Sequence, residues 1–333
     1  ARMMPRGSND RIGIVGVGMN VPNKVLTNFD LEKMVETSDA WIVERTGIRE
    51  RRICEPGTAT SDLAYPAAVD ALKQAGLQPA DIDLIIVGTT SPDMIFPSTA
   101  CVLQHRLGAA SAACFDLAAA CSGSVFAMIT AQQYLQTGRY KHALVVGAEI
   151  ISNFVDWTDR STCVLFGDGA GACVMTKVDR GGILATDMGA DGSAAELLYI
   201  PGGGSKAPSS HASIDQRLHY LRMNGTEVFK LAVRRMAESA KTVLAQAGLS
   251  LEDLDCLIPH QANTRIIQAM AKLAGVPMDK VFVNVERYGN TSAASNLMAL
   301  YEAAQSGAIK RGDRVVLVAF GAGLTWGSIL LEW

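Results

Sequence analysis

The sequence predicts an α/β fold built from two similar halves, and three observations lead to this prediction. The chain contains an internal repeat in which residue n aligns with residue n + 172. Continuous apolar runs alternate with amphipathic helical segments, a pattern typical of parallel strands that are covered on both faces. Hydrophobic residues make up 49% of the 333 residues, which is ample for the core of two halves or two domains.

The repeat is recognised in two pairs of segments. Residues 71–84 (ALKQAGLQPADIDL) align with residues 243–256 (VLAQAGLSLEDLDC), and each copy has a helix, a glycine stop and an acidic turn into a strand. The apolar runs ALVVGA at 143–148 and VVLVAF at 315–320 lie at the same offset. Chance is a poor explanation for two matching pairs in one register.

The repeat also sets the expected domain boundaries. We expect an N-terminal half at residues 10–180 and a C-terminal half at residues 181–333. Residues 1–9 are polar and unpatterned, and PRGS resembles the remnant of an engineered protease site. We therefore interpret residues 1–9 as a tag or disordered lead and leave them out of the fold prediction.

Composition and charge disfavour several classes of function. The 30 basic and 33 acidic residues give a net charge of -3, which predicts no nucleic-acid surface. The longest apolar stretch, residues 112–131, is interrupted by polar residues and glycine, so we expect no membrane span, and we expect no signal peptide. Seven cysteines without a CxxC pair predict neither disulfides nor zinc, and they fit reduced thiols in a cytoplasm.

Cys121 is the candidate nucleophile. It lies in DLAAACSGS (116–124), where an apolar strand run ends and a turn of small residues opens an apolar helix. A helix N-terminus offers the positive end of the dipole and free backbone N–H groups, which predicts a lowered pKa and a thiolate at neutral pH. On local context alone, an inert buried cysteine is an equal alternative.

His260 and Asn290 are the candidate partners of Cys121. His260 ends the strand CLIPH, and α/β proteins place catalytic groups at the carboxyl ends of strands. Asn290 follows a glycine turn and resembles a helix N-cap, so capping alone is the alternative interpretation. The repeat maps Cys121 onto Ala293, three residues past Asn290, which predicts equivalent helix starts for Cys121 and Asn290.

Glycine-rich stretches are interpreted as backbone features. GIVGVGMNVP at 13–22 does not complete a dinucleotide motif, because Val21 replaces the third glycine and no helix follows. FGDGAGA at 166–172 and AFGAGLTWGS at 319–328 predict tight bends, where backbone N–H groups approach a substrate oxygen. We find no motif for a metal or a cofactor.

The chain resembles the β-ketoacyl-acyl carrier protein synthase III family of the thiolase superfamily. The motifs that carry this resemblance are TSDAWIVERTGIRERR (37–52), AACSGS (119–124), DRSTCVLFGDGAGA (159–172), HQANTRI (260–266), YGNTSAAS (288–295) and GAGLTWGS (321–328). The resemblance implies a thiolase-like five-layered αβαβα fold with two pseudo-symmetric halves, working as a homodimer without a cofactor.

The implied activity is an acyl transfer followed by a condensation. An acyl-CoA primer, expected to be acetyl-CoA, would acylate Cys121. Decarboxylative Claisen condensation with malonyl-acyl carrier protein would then give 3-oxoacyl-acyl carrier protein, CoA and CO2, which initiates fatty acid synthesis. The nearest alternative is a related condensing enzyme that loads an unusual starter in secondary metabolism.

The resemblance also implies roles for individual residues. His260 and Asn290 would hydrogen-bond the malonyl thioester carbonyl, and the N–H groups of Cys121 and Ala322 would hold the oxyanion. The family pattern has glycine where this chain has Ala322. The other implied roles are Trp41 and Arg160 at the adenine of CoA, Arg45 and Asn263 along the pantetheine, Phe166, Gly225, Phe229 and Phe320 near the acyl pocket, Phe96 lent by the partner subunit, and Lys230, Arg265 and Lys272 docking the carrier protein.

Other enzymes with similar residues fit less well. Papain-like proteases share the order Cys, His, Asn, but they have a different cysteine motif and disulfides. Thiolases use a second cysteine near the C-terminus, and no cysteine follows Cys256. Hydroxymethylglutaryl-CoA synthases use an acidic catalytic residue. An inactive carrier-binding homologue is disfavoured because all three catalytic positions are filled.

Overall fold

The computed structural model describes residues 11–333, so the interpretation of residues 1–9 lies outside the described residues. The strands are β1 Ile12–Asn20, β2 Val25–Thr27, β3 Glu50–Arg52, β4 Leu84–Gly88, β5 Ala113–Leu117, β6 His142–Glu149, β7 Gly169–Lys177, β8 Gly182–Ala190, β9 Leu198–Tyr199, β10 Arg222–Met223, β11 Cys256–Pro259, β12 Arg314–Gly321 and β13 Thr325–Glu332. The α-helices are α1 Asn28–Leu31, α2 Asp39–Thr46, α3 Thr60–Ala75, α4 Thr99–Leu107, α5 Gly123–Gln136, α6 Arg160–Cys163, α7 His211–Asp215, α8 Gly225–Gln246, α9 Thr264–Ala274, α10 Val285–Tyr288 and α11 Ser295–Gln305.

Two mixed sheets form the framework. The first has the order β1-β7-β6-β4-β5 and the second the order β8-β13-β12-β11. The prediction of parallel strands is confirmed for β4, which runs parallel to β5 and β6, and for β11 with β12. The remaining neighbours in both sheets are antiparallel. The expected boundary at residues 180–181 lies between β7 of the first sheet and β8 of the second.

Helices cover both sheets and separate them. Core residues of α5 and α11, such as Val125 and Leu300, form one buried cluster with Ile86 of the first sheet and Leu317 of the second. Helices α3 and α4 pack on the other face of the first sheet, and α8 and α9 pack on the other face of the second. The resulting order αβαβα confirms the five-layered fold. Within residues 11–333, no helix is long and apolar enough to cross a membrane.

Local sequence signals explain where the main helices begin and end. Gly76 ends α3 in the left-handed region at φ 67°, where a residue with a side chain would be strained. Helix α8 begins at Gly225, because the Asn224 side chain accepts the N–H of Glu227 and so caps the helix. It ends at Gln246, so Gly248, at φ 68°, lies just past its last turn.

The 172-residue offset is preserved in the structure. Leu84 and Cys256 begin β4 and β11, and His142 and Arg314 begin β6 and β12, each pair at this offset. The corresponding strands occupy corresponding positions in the two sheets. Helices α5 and α11 also correspond. The segments that lead into these two central helices contact each other at the centre of the two halves.

Candidate active site

One cavity brings the three predicted catalytic residues together. It has a volume of about 780 Å³ and is lined by Cys121, His260 and Asn290, which come from three separate segments. Nine further residues named from the sequence also line it: Trp41, Arg45, Phe166, Gly225, Phe229, Lys230, Asn263, Arg265 and Phe320. A volume of this size fits a small-molecule substrate.

Cys121 lies in a strained turn between β5 and α5. Ala120 precedes it with φ 47°, and the equivalent residue of the second half, Ser292, has φ 51°. Both are non-glycine residues in the left-handed region, which is uncommon and is held only where the surrounding structure enforces it. The two strained turns contact each other, which brings Cys121 close to the segment that carries Asn290.

The prediction of a lowered pKa for Cys121 is wrong. Only 7% of Cys121 is exposed, and its burial raises the pKa of the thiol to about 12. Hydrogen bonds from the side chains of Ser292 and Asn290 lower the pKa by less than burial raises it. The sequence identified the helix start but not the loss of hydration, which penalises the thiolate more strongly here. Cys121 therefore rests as a neutral thiol.

His260 is fixed at the carboxyl end of β11 and is 2% exposed. Its backbone N–H donates to Val318 O of the neighbouring strand at 2.7 Å. Its ring nitrogen Nδ1 contacts the hydroxyl of Ser295, the first residue of α11. Burial lowers the pKa of His260 to about 3, so the imidazole is neutral near neutral pH.

Asn290 is held by its own backbone. Its N–H donates to Leu165 O at 2.8 Å, and its carbonyl accepts the N–H of Gly167 at 3.0 Å. Its Oδ1 accepts the N–H of Ser292 at 2.8 Å, which leaves the Nδ2 amide as a donor. A 3-10 helix, Ser292–Ala294, leads directly into α11, and its N-cap residue is Thr291 and not Asn290.

The turn after β12 lies against the turn that carries Cys121. A Cβ atom on Gly321 would lie 2.6 Å from the backbone N of Cys121, so only glycine allows this approach. The hydroxyl of Thr325 contacts Ala119 O at 3.1 Å and Ala322 O at 3.2 Å. Ala322, which follows Gly321, is thereby tied to the segment just before Cys121.

Basic and aromatic side chains surround the cavity near α2. The guanidinium carbons of Arg45 and Arg160 lie 4.8 and 5.4 Å from the centre of the Trp41 ring system. Lys230 pairs with Glu227 at 2.8 Å. The Nε of Arg265 donates to Glu44 O at 3.2 Å. These cations remain substantially exposed, so they are available to a charged ligand.

Four of the residues named from the sequence are not among those that line the cavity: Arg160, Ala322, Phe96 and Lys272. Phe96 is 82% exposed on the loop before α4, next to Ile95, which is 85% exposed. Lys272 is exposed in the last turn of α9. Within residues 11–333, no group of three or more His, Cys, Asp or Glu side chains is arranged to hold a metal ion.

Ser292 and Ser295 were missed by the sequence analysis. Ser292 hydrogen-bonds the Cys121 thiol, and Ser295 contacts the His260 ring. Both belong to the segment YGNTSAAS, in which the sequence pattern indicated a role for Asn290 alone. The repeat offered one signal, because it aligns Ser292 with the residue before Cys121.

Comparisons with known proteins identify the family of the chain. The family model described as 3-oxoacyl-[acyl-carrier-protein] synthase III matches residues 115–192, and the model of its C terminal matches residues 244–333. A beta-ketoacyl-[acyl-carrier-protein] synthase III of Caldanaerobacter subterraneus subsp. tengcongensis is 55% identical over 96% of this chain and 97% of that protein.

Solved structures give the same result. The crystal structure of 3-oxoacyl-[acyl-carrier-protein] synthase III from Aquifex aeolicus has a TM-score of 0.90 and 49% identity, covering 97% of this chain and all (100%) of that one. The priming beta-ketosynthase of a polyketide biosynthetic pathway has a TM-score of 0.89 and 35% identity, covering 98% of both chains. The chain is thus a condensing enzyme of the acyltransferase type, and it belongs to the β-ketoacyl-[acyl-carrier-protein] synthase III family.

Proposed function

We propose that the chain condenses an acyl-CoA primer with malonyl-acyl carrier protein and so starts fatty acid synthesis. The observation that carries this proposal is the single cavity lined by one thiol, one neutral imidazole and one amide. A thiol accepts an acyl group from a thioester and keeps it as a thioester. Two neutral donors suit an enolate, since decarboxylation generates it without a strong base.

In the first half-reaction, Cys121 Sγ forms a bond to the acyl carbonyl carbon of acyl-CoA. The backbone N–H groups of Cys121 and Ala322 hold the resulting oxyanion, a role supported by the close packing of the Gly321 turn. The bond to the CoA sulfur breaks, and the proton lost from the thiol ends on CoA. Acylation of Cys121 therefore needs no proton from outside the two reactants.

In the second half-reaction, the malonyl thioester of the carrier protein takes the place of CoA. His260 and the Nδ2 amide of Asn290 donate to its carbonyl oxygen as CO2 leaves and an enolate forms. The enolate carbon attacks the acyl carbonyl on Cys121. The Cys121 thiolate leaves and takes a proton from water, and 3-oxoacyl-acyl carrier protein is released.

Basic residues at the cavity support recognition of the two acidic substrates. Trp41, with Arg45 and Arg160 beside its ring, is a stacking surface suited to the adenine of CoA. Lys230 and Arg265 are exposed next to the cavity, and Lys272 lies on the same helix as Arg265. We assign these three cations to the acidic carrier protein.

An unpaired sheet edge supports a homodimer. Strand β5 is the edge of the first sheet and pairs only with β4 within the described chain. An unpaired strand edge offers backbone N–H and C=O groups to a strand of another chain. Ile95 and Phe96 are 85% and 82% exposed, and burial of both against a second copy fits the proposal that Phe96 enters the partner's cavity. We further propose a cytoplasmic enzyme that needs no cofactor.

A second candidate function is the loading of an unusual starter in secondary metabolism. It is supported by the 35% identity to a priming beta-ketosynthase of a polyketide pathway. Condensation assays with labelled acetyl-, branched and longer acyl-CoA primers distinguish the two. Preference for acetyl-CoA and malonyl-acyl carrier protein supports the first function. Activity confined to another primer supports the second, and no product with any primer refutes both.

A further inference from the structure

The contact between Ser295 and His260 determines where the imidazole carries its proton. Burial keeps the His260 ring neutral near neutral pH, so only one of its two nitrogens bears hydrogen. The ring can donate a hydrogen bond on the side away from Ser295 only if this hydrogen is on Nε2. Nδ1 is occupied by the Ser295 hydroxyl, and His260 lines the cavity.

A count of hydrogens around the Ser295 hydroxyl selects one arrangement. The backbone N–H of Gln261 donates to Ser295 Oγ at 3.3 Å, and an N–H can only donate. Among residues 11–333, His260 Nδ1 is the one acceptor within reach of the hydroxyl hydrogen. If Nδ1 carried hydrogen instead, Ser295 would receive two N–H groups and its own hydrogen would be unpaired.

An unpaired hydroxyl is unfavourable at this position. Ser295 is 1% exposed and His260 is 2% exposed, so water does not replace a missing partner. A buried polar hydrogen without an acceptor is strongly disfavoured. The hydroxyl of Ser295 therefore donates to Nδ1, and the hydrogen of the imidazole resides on Nε2.

The first turn of α11 also fixes the strand that carries His260. The Nδ2 amide of Asn296 donates to Ile258 O at 3.1 Å and to Val318 O at 3.2 Å. These carbonyls belong to β11 and β12, and Val318 O also accepts the backbone N–H of His260. One helix turn thus sets both the position of the strand and the orientation of the ring.

We propose that Ser295 is a positioning residue that holds His260 as its Nε2–H tautomer, ready to donate to the malonyl thioester carbonyl. This inference rests on the proposed function for its use in catalysis, but the tautomer itself is a property of the resting protein. Ser295 touches neither substrate nor the reacting atoms, and it acts only through His260.

Nuclear magnetic resonance of the full chain with 15N-labelled histidine tests the tautomer directly. Long-range 1H–15N correlation spectra distinguish Nε2–H from Nδ1–H rings, and the His260→Ala variant identifies the His260 signals among the five histidines. The wild-type protein is expected to show the Nε2–H form. An Nδ1–H form in the wild type overturns the proposal without any variant.

Three variants test the role of the hydroxyl. Ser295→Ala is expected to give a mixture of tautomers and to lower kcat for malonyl decarboxylation about tenfold, the typical effect of losing one neutral hydrogen bond. Acylation of Cys121 by acyl-CoA is expected to stay unchanged. Ser295→Thr keeps a hydroxyl and is expected to restore the Nε2–H form. Ser124→Ala is the matched control, because Ser124 is fully buried and its hydroxyl has no partner in the described chain.

The outcomes separate this inference from the proposed function. An unchanged tautomer in Ser295→Ala overturns the positioning role, whatever the activity. Equal losses in acylation and decarboxylation also overturn it, since they indicate a general structural defect. An Nε2–H ring in a wild-type protein that forms no condensation product supports the positioning role and refutes the proposed function.

Discussion

Two substitutions of His260 separate a hydrogen-bond donor from a general base. The Gln side chain can place an amide N–H group about where the Nε2 atom of His lies, whereas Ala has no polar group. Removal of one donor from an oxyanion site typically lowers the rate about 10²–10³-fold. We therefore expect His260→Ala to lose malonyl decarboxylation to this extent and His260→Gln to remain within about tenfold of the wild type.

The burial of His260 explains why it acts as a donor. Burial lowers its pKa from 6.5 to about 3. A pKa that is lower by one corresponds to roughly 1.4 kcal/mol. Burial therefore disfavours the protonated ring by about 5 kcal/mol relative to an exposed histidine. If His260 acted as a general base, it would have to become this protonated ring during the reaction. As a neutral hydrogen-bond donor it stays neutral throughout. Decarboxylation should accordingly show no dependence on His260 ionisation between roughly pH 5 and 8.

The assay follows labelled CO2 released from malonyl-acyl carrier protein, with acylation of Cys121 measured separately. Acylation is expected to stay near the wild-type rate in both variants of His260. His142→Ala is the matched control, because His142 is partly buried and its Nδ1 has no partner within residues 11–333. If His260→Gln is as inactive in decarboxylation as His260→Ala, the donor role is refuted and a base role is favoured.

Four further predictions concern other parts of the protein. Burial raises the pKa of Cys121 to about 12, so the reactive thiolate fraction grows about tenfold with each pH unit below that value. Acylation rates measured by quenched flow should therefore rise about tenfold per pH unit between roughly pH 6 and 9. A plateau near neutral pH would contradict this expectation. Gly321→Ala places a Cβ atom 2.6 Å from the Cys121 N and should abolish condensation, whereas Gly204→Ala, which meets open space, should leave condensation and Tm unchanged. Lys272→Glu should raise KM for malonyl-acyl carrier protein several-fold and leave acylation by acyl-CoA unaltered. If the variant and the wild type have equal KM values, Lys272 is not part of the docking surface. Ile95→Asp should shift the protein from dimer to monomer in sedimentation experiments, and a monomeric wild type refutes the proposed homodimer.

The repeat made the fold and the meeting of two helix starts predictable. The position of a residue within the repeated unit determines the helix turn on which it lies. Because Cys121 and Asn290 lie near equivalent helix starts of the two halves, the repeat predicts that they are close together. The strands β4, β6, β11 and β12 begin where the 172-residue offset requires. Antiparallel neighbours such as β13 were not predicted, because an apolar run indicates burial and not strand direction.

The electrostatics of the site could not be predicted from the sequence. A helix start and a cysteine suggested a thiolate, but the exposed fraction of Cys121 depends on residues far away in the chain, such as Phe320 and Asn290. The same is true of Ser295, whose contact with His260 joins residues 35 positions apart. Sequence patterns report which residues share an element, whereas hydration and hydrogen-bond partners arise only in the assembled fold.

Mass spectrometry after incubation with acyl-CoA alone tests whether Cys121 is the residue that accepts the acyl group. We expect one acyl group on the peptide that contains Cys121. The group should stay there until malonyl-acyl carrier protein is added, and it should then be removed with release of the 3-oxoacyl product. Cys121→Ala should carry no acyl group, while Cys173→Ala, which removes a different buried thiol, should be acylated like the wild type. Acylation that persists in Cys121→Ala, or that appears at another residue, refutes the role of Cys121 as the nucleophile.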